Sequence, residues 1–116
     1  MAGDYLTLDP VLNAPNSFSD LPEDEALYWA KRLSCHSAAS YKEKFTYPGY
    51  NDVEMHYIVC EDDKVIPAEY QYQMIETAKK SSGKDVVLHK IKSGHIPVIS
   101  QPDTVAKILK GVVESM

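Results

Sequence analysis

The spacing of apolar positions changes near Tyr50, and the two sides predict different structures. Beyond it, Val53-Glu54-Met55-His56-Tyr57-Ile58-Val59-Cys60 is β-prone and mostly apolar towards its end, as in a buried parallel strand. Glu61-Asp62-Asp63-Lys64 breaks this run, and Pro67 opens a segment in which Tyr70, Met74, Ile75 and Ala78 recur with a helical period as far as Ser82-Gly83. Val86-Val87-Leu88-His89-Lys90-Ile91 predicts a second strand. A last helix is expected from near Ser100, with Ser100 as its cap and Asp103 three residues on. It carries Val105, Ile108, Leu109, Val112 and Met116 along one stripe. Strand, helix, strand, helix is an α/β pattern and implies a parallel pair with a right-handed crossover.

Before Tyr50 the pattern is weaker and holds four of the seven prolines. One helix is expected near residues 21–33, with Asp20 as cap, Pro22 in the first turn and Glu23 completing the capping-box spacing. Ala26, Leu27, Ala30 and Leu33 would share its apolar face. Residues 1–19 show no sustained period and read as an irregular arm. The expected division is therefore 1–50 and 51–116. Two parallel strands do not make a stable sheet, and the first fifty residues offer no further strand. Part of the sheet has to come from elsewhere.

Composition narrows the setting. The chain has 116 residues, enough for one modest core, and a formal charge of −5 with no basic block. That balance argues against a nucleic-acid or anionic-membrane surface. No apolar run approaches a membrane span, and Met1-Ala2-Gly3-Asp4 lacks the features of a signal peptide. Cys35 and Cys60 form no disulfide framework and no metal-ligand spacing, so a reduced, cytoplasmic protein without cofactor or metal is expected.

In an open parallel sheet, functional groups collect in the loops at the carboxyl ends of the strands. The first such loop holds Glu61, Asp62 and Asp63; the second holds Ser93, Gly94 and His95. An acid and an imidazole on adjacent strand ends can meet, the carboxylate fixing the ring tautomer and leaving Nε2 as a base. Taken singly, the acids read as a solvated turn and His95 as polar surface; their matched placement favours chemistry. His56 and His89 lie inside strands and read as structural, and His36 reads as a cap for the preceding helix. Cys60 reads as a small buried hydrophobe. The tyrosines from Tyr41 to Tyr72 read as packing groups, some of those from Tyr41 to Tyr50 being alternatives for a cavity wall.

Several of these segments resemble the α/β-hydrolase superfamily, closest to its esterase and hydroxynitrile-lyase-like branch, which includes fungal members. Met55 through Pro67, followed by Tyr70-Gln71, resembles the penultimate strand and acid loop. Ser93-Gly94-His95-Ile96-Pro97 through Pro102 resembles the histidine loop, and Phe18-Ser19-Asp20-Leu21-Pro22 through Leu33 the end of the lid. The resemblance implies Asp63, four positions before Pro67, as triad acid, with Asp62 as runner-up, and His95 as triad base. It also implies a partial α/β-hydrolase fold: a helical lid remnant over 1–50 and a C-terminal core unit over 51–116. The nucleophile elbow G-x-S-x-G occurs nowhere in the sequence.

Three functions follow. The chain is part of a serine hydrolase acting on a small hydrophobic ester, its serine supplied by another segment. Alternatively, His95 and Asp63 serve non-covalent lyase, isomerase or cyclase chemistry. The third reading is a non-enzymatic domain that binds a ligand or a partner. Exposed strand edges predict a homo-oligomer or a complementing chain in each case.

Overall fold

The computed structural model describes residues 4–116, so the first three residues of the expected arm lie outside the described residues. The strands are β1 (Tyr5–Leu6), β2 (His36–Ser37), β3 (Met55–Cys60) and β4 (Val86–Ile91). The helices are α1 (Pro10–Ser17), α2 (Glu23–Ala30), α3 (Ala68–Ser82), α4 (Pro97–Ser100) and α5 (Pro102–Glu114). β3 and β4 pair in parallel with Met55 opposite Val86 and Cys60 opposite Ile91, and α3 forms the crossover between them. The α/β expectation for the second half holds, with the first strand starting two residues later than expected.

One face of the β3–β4 pair packs on α3. Val59 and Ile75 are almost fully buried there with Ala78 and Val86, flanked by Met55, Tyr57 and Leu88. Residues two apart on a strand share a face, which is why Met55, Tyr57 and Val59 line up beneath the helix. Of the expected apolar stripe, Ile75 and Ala78 are buried, joined by Gln71, whereas Tyr70 and Met74 stay exposed. It stops at Gly83, whose φ of 69° is a left-handed conformation that glycine adopts without a Cβ penalty.

The first half departs further from expectation. The segment read as an irregular arm contains β1, which pairs antiparallel with β2, and α1. Asp9 caps α1, its carboxylate accepting from the N–H groups of Val11 and Leu12, with Pro10 in the first turn. In α2, Pro22 takes the cap position in an extended conformation, so Asp20 is not the cap. Glu23, Asp24 and Glu25 place negative charge on the first turn instead. The helix ends at Ala30, leaving Leu33 exposed. His36 does not cap it: the ring lies in β2 and its Nε2 meets Ser40 Oγ at 2.8 Å. Nor does Ser100 cap α5. It is the last residue of α4, and Gln101 occupies the cap position while its amide donates to the Lys92 carbonyl at 2.7 Å.

The single expected core is two clusters. The second joins Ala14 and Phe18 of the α1 end to Ala26 and Ala30 of α2, with Leu21, Trp29, Ile96 and Ile99 packed around them. Two clusters form because α1 and α2 bury their apolar stripes against each other and against α4, away from the sheet. The Cα radius of gyration is 16.0 Å, against about 13 Å for a compact domain of this length. Much apolar surface stays open: in the stripe of α5 only Val105 is buried, while Leu109 and Met116 are exposed. Among the described residues, no helix is long and apolar enough to cross a membrane.

Candidate active site

The two loops at the carboxyl ends of β3 and β4 are held together by their own backbone. The Glu61 N–H donates to the Ile91 carbonyl at 2.9 Å and the Asp62 N–H to that of Ser93 at 3.1 Å, carrying the parallel ladder past the strand ends. Between them, His95 Nδ1 lies 2.9 Å from Asp63 Oδ2. Asp63 is the acid that reaches the ring; Glu61 and Asp62 are exposed at the surface.

Asp63 uses its two oxygens differently. Oδ1 accepts from the Val65 and Ile66 N–H groups at 2.8 and 2.9 Å, closing the turn that carries the chain towards α3. Oδ2 is thereby directed at His95. The Asp63 side chain is only 5% exposed while His95 retains 31%. A carboxylate accepts only, so the shared proton sits on Nδ1 and the neutral ring presents its lone pair at Nε2. Nε2 makes no hydrogen bond to any described residue. Chemically, the arrangement is a base oriented by a buried acid, able to take a proton at Nε2 while the carboxylate stabilises the resulting imidazolium.

The histidine loop passes close to the Ser19 and Asp20 side chains beside the ring. A Cβ on Gly94 would lie 2.7 Å from Asp20 Oδ1 and 2.8 Å from Ser19 Oγ, closer than side chains approach one another. Ser19 also lines an apolar cavity of about 350 Å³ between α1 and α2, with Val11, Ala14, Phe18 and Leu27 on its walls and Lys64 of the acid loop at its rim. The cavity walls are these helical residues and not the tyrosines. Tyr41 and Tyr47 are exposed and belong to neither core nor cavity, whereas Tyr50 packs beside the sheet cluster.

The remaining candidates resolve into structural roles. His56 and His89 stack with their planes 16° apart, and His56 Nδ1 meets His89 Nε2 at 3.0 Å. Glu54 Oε1 accepts from His56 Nε2–H at 2.7 Å, so His56 Nδ1 is the acceptor and His89 the donor. Ser40 is not an activated nucleophile: its hydroxyl donates to the Ser37 carbonyl, and His36 donates to it. Burial pushes the Cys60 thiol above its ordinary range, countered in part by a hydrogen bond with Ser93, so it stays protonated. Among the described residues there is no group of three or more His, Cys, Asp or Glu placed to hold a metal ion.

Gln71 was not singled out from the sequence. It is 2% exposed and bonds to the backbone at both ends of the acid loop. The signal was present, since Gln71, Ile75 and Ala78 fall at i, i+4 and i+7, but a polar residue on an apolar stripe is easily passed over.

No family model matches the chain. A protein of Phoma sp. named "Probable hydrolase R7" is 35% identical over 109 residues, which is 94% of this chain and 45% of that protein. The polyneuridine aldehyde esterase of Rauvolfia serpentina is 34% identical over 73 residues, 63% of this chain and 26% of the enzyme. The "Norfluorocurarine synthase 2" of a Strychnos species is 32% identical over 72 residues, 62% of this chain and 26% of that protein. The crystal structure of a histidine-to-alanine variant of polyneuridine aldehyde esterase superimposes with a TM-score of 0.71 at 30% identity, over 93% of this chain and 42% of the enzyme. The chain spans less than half the length of each relative. Sequence and structure together identify it as a C-terminal portion of an α/β-hydrolase fold.

Proposed function

We propose that the chain supplies the acid and base of a serine esterase acting on a small hydrophobic ester, with Asp63 and His95 in those roles. The observation that carries this reading is the 2.9 Å bond between His95 Nδ1 and a nearly buried Asp63 carboxylate, with Nε2 left open. His95 Nε2 takes the proton of a serine hydroxyl as its oxygen attacks the ester carbonyl, then returns it to the leaving alcohol. Water repeats the sequence to release the acid. The serine and the oxyanion donors come from a segment outside this sequence, either a continuation of the same polypeptide or a separate chain, because G-x-S-x-G is absent here. Two relatives named as a hydrolase and an esterase favour this reading, and the apolar cavity beside the acid loop is of a size that suits a small ligand.

In the same reading, residues 1–50 are a lid remnant and 51–116 the core unit. The free thiols of Cys35 and Cys60 fit a cytoplasmic protein. The test is complementation. The chain is co-expressed with the N-terminal portion of the Phoma relative, and hydrolysis of p-nitrophenyl esters is measured. Activity that needs both parts and disappears in His95→Ala supports the proposal; a complemented complex that forms but hydrolyses none of a series of chain lengths refutes it. The relative named a synthase favours a second reading, in which His95 and Asp63 move protons without an acyl-enzyme. A fluorophosphonate probe separates the two, since covalent labelling of the complex is expected only from the esterase.

A further inference from the structure

We infer that Gln71 is the positioning residue of the acid–base pair. This inference rests on the reading of Asp63 and His95 as that pair. Gln71 lies in the first turn of α3 and reaches back to the end of β3. Its Oε1 accepts from the Cys60 N–H at 2.9 Å, and its Nε2 donates to the Cys60 carbonyl at 2.9 Å and to the Ile66 carbonyl at 2.7 Å. The three hydrogen bonds of the side chain therefore close on two residues that bracket the loop holding Asp63.

The placement follows from strand geometry. The Glu61 N–H points at β4, where it meets the Ile91 carbonyl. Backbone groups of successive strand residues point to opposite edges, so those of Cys60 face away from β4, onto the edge of β3 that no described strand pairs with. Gln71 satisfies both with one side-chain amide, standing in for the backbone of a neighbouring strand. A polar group this deep is costly without partners, and here both N–H donors and the carbonyl oxygen of the amide are engaged. The same amide pins Ile66, whose N–H is one of the two that hold Asp63 Oδ1. Gln71 thus fixes the start and finish of the turn, and the turn fixes the direction of Oδ2 towards His95. No contact between Gln71 and His95 is required.

The test uses the full chain and reads the bond itself, so it does not depend on turnover. In Gln71→Met the side chain keeps its length and loses its hydrogen bonds. The His95 Nδ1–H resonance, expected at low field in the unmodified chain, should broaden or shift upfield in the variant. Amide exchange at Val65 and Ile66 should accelerate about tenfold or more, while exchange at Leu88 in β4 changes less. Ile75→Val, which perturbs the same helix face without touching the loop, should leave the His95 resonance in place. Gln71→Asn, in which a shorter amide cannot span Cys60 and Ile66 together, is expected to give the same signature and serves if Gln71→Met does not fold. An unshifted His95 resonance with unchanged Val65 and Ile66 exchange in a folded Gln71 variant overturns the inference, as does an equal loss in Ile75→Val. Failure of the esterase complementation, with these spectra as expected, refutes the hydrolytic role alone.

Discussion

Replacing Asp63 by Asn and by Ala separates the two jobs of one carboxylate. Asn keeps an oxygen at the Oδ1 position, where it continues to accept from Val65 and Ile66, and puts an NH₂ group at the Oδ2 position. Ala removes both. Hydrogen bonds to a charged group contribute about 1.5–3 kcal/mol each, and end-capping bonds of this type about 1 kcal/mol on replacement by Ala. Loss of two backbone bonds and the His95 bond from a site this buried amounts to about 3 kcal/mol for Asp63→Ala. Asp63→Asn, which weakens the bonds without deleting them, should cost about 1 kcal/mol. Urea unfolding followed by far-UV circular dichroism measures both. The decisive contrast is at His95. The Asn side chain presents a donor to Nδ1, so the ring should switch from the Nδ1–H to the Nε2–H tautomer, visible in the ¹⁵N shifts of the imidazole. In serine triads the equivalent change lowers turnover about 10⁴-fold because Nε2 no longer offers a lone pair. Equal destabilisation by Asn and Ala would refute the assignment of Oδ1 to the turn. An Asn variant in which His95 keeps its proton on Nδ1 would refute the assignment of Oδ2 to the ring.

Three further outcomes are expected. Ile75→Ala, at a residue 1% exposed beneath the sheet, should lower stability by about 2–5 kcal/mol in chemical unfolding, against less than about 1.5 kcal/mol for Ile75→Val. Cys35 should react with iodoacetamide at pH 8 well before Cys60, because Cys35 is exposed and burial holds the Cys60 thiol above its ordinary range. The sign for stability follows: folded chains keep this proton where unfolded chains release it, so stability falls as pH rises through the ordinary thiol range, and Cys60→Ala should remove that component of the alkaline loss. Finally, among the described residues both outer edges of the β3–β4 pair are unpaired and much of the α5 stripe is exposed, so sedimentation velocity of the chain by itself should show dimers or larger species. A monomer at high micromolar concentration would count against edge pairing.

The legible parts of this protein are those in which one local rule decides. β4 carries the boundaries expected from its apolar run, and α3 stops where Gly83 allows a left-handed turn. Asp63 and His95 were recognisable because two loops of suitable chemistry follow two strands that a helix connects, and the register of Cys60 opposite Ile91 places them side by side. Capping was less legible. Asp20 and Ser100 have the right chemistry and spacing, but Pro22 and Gln101 occupy the cap positions, and the start of a helix is set by where the backbone turns rather than by which nearby side chain could cap it. The eight residues of α1 are too few for a periodic signal, and Pro15 within them argues for a break; packing of Ala14 and Phe18 against α2 stabilises that helix where propensity does not.

The sequence by itself determined the alternation of strand and helix after Tyr50, the acid and base at the strand ends, and the absence of a nucleophile elbow. Each depends on neighbours within a few residues or on the presence of a motif. Only the tertiary structure decided which acid reaches His95, that Gly94 lies close against the Ser19 and Asp20 side chains, and that Gln71 is buried to clamp the acid loop. Those outcomes depend on side chains meeting groups from other segments, as Ser19 and Asp20 meet Gly94. No local pattern encodes such meetings; the register of β3 on β4 and the packing of α1 and α2 against the histidine loop do.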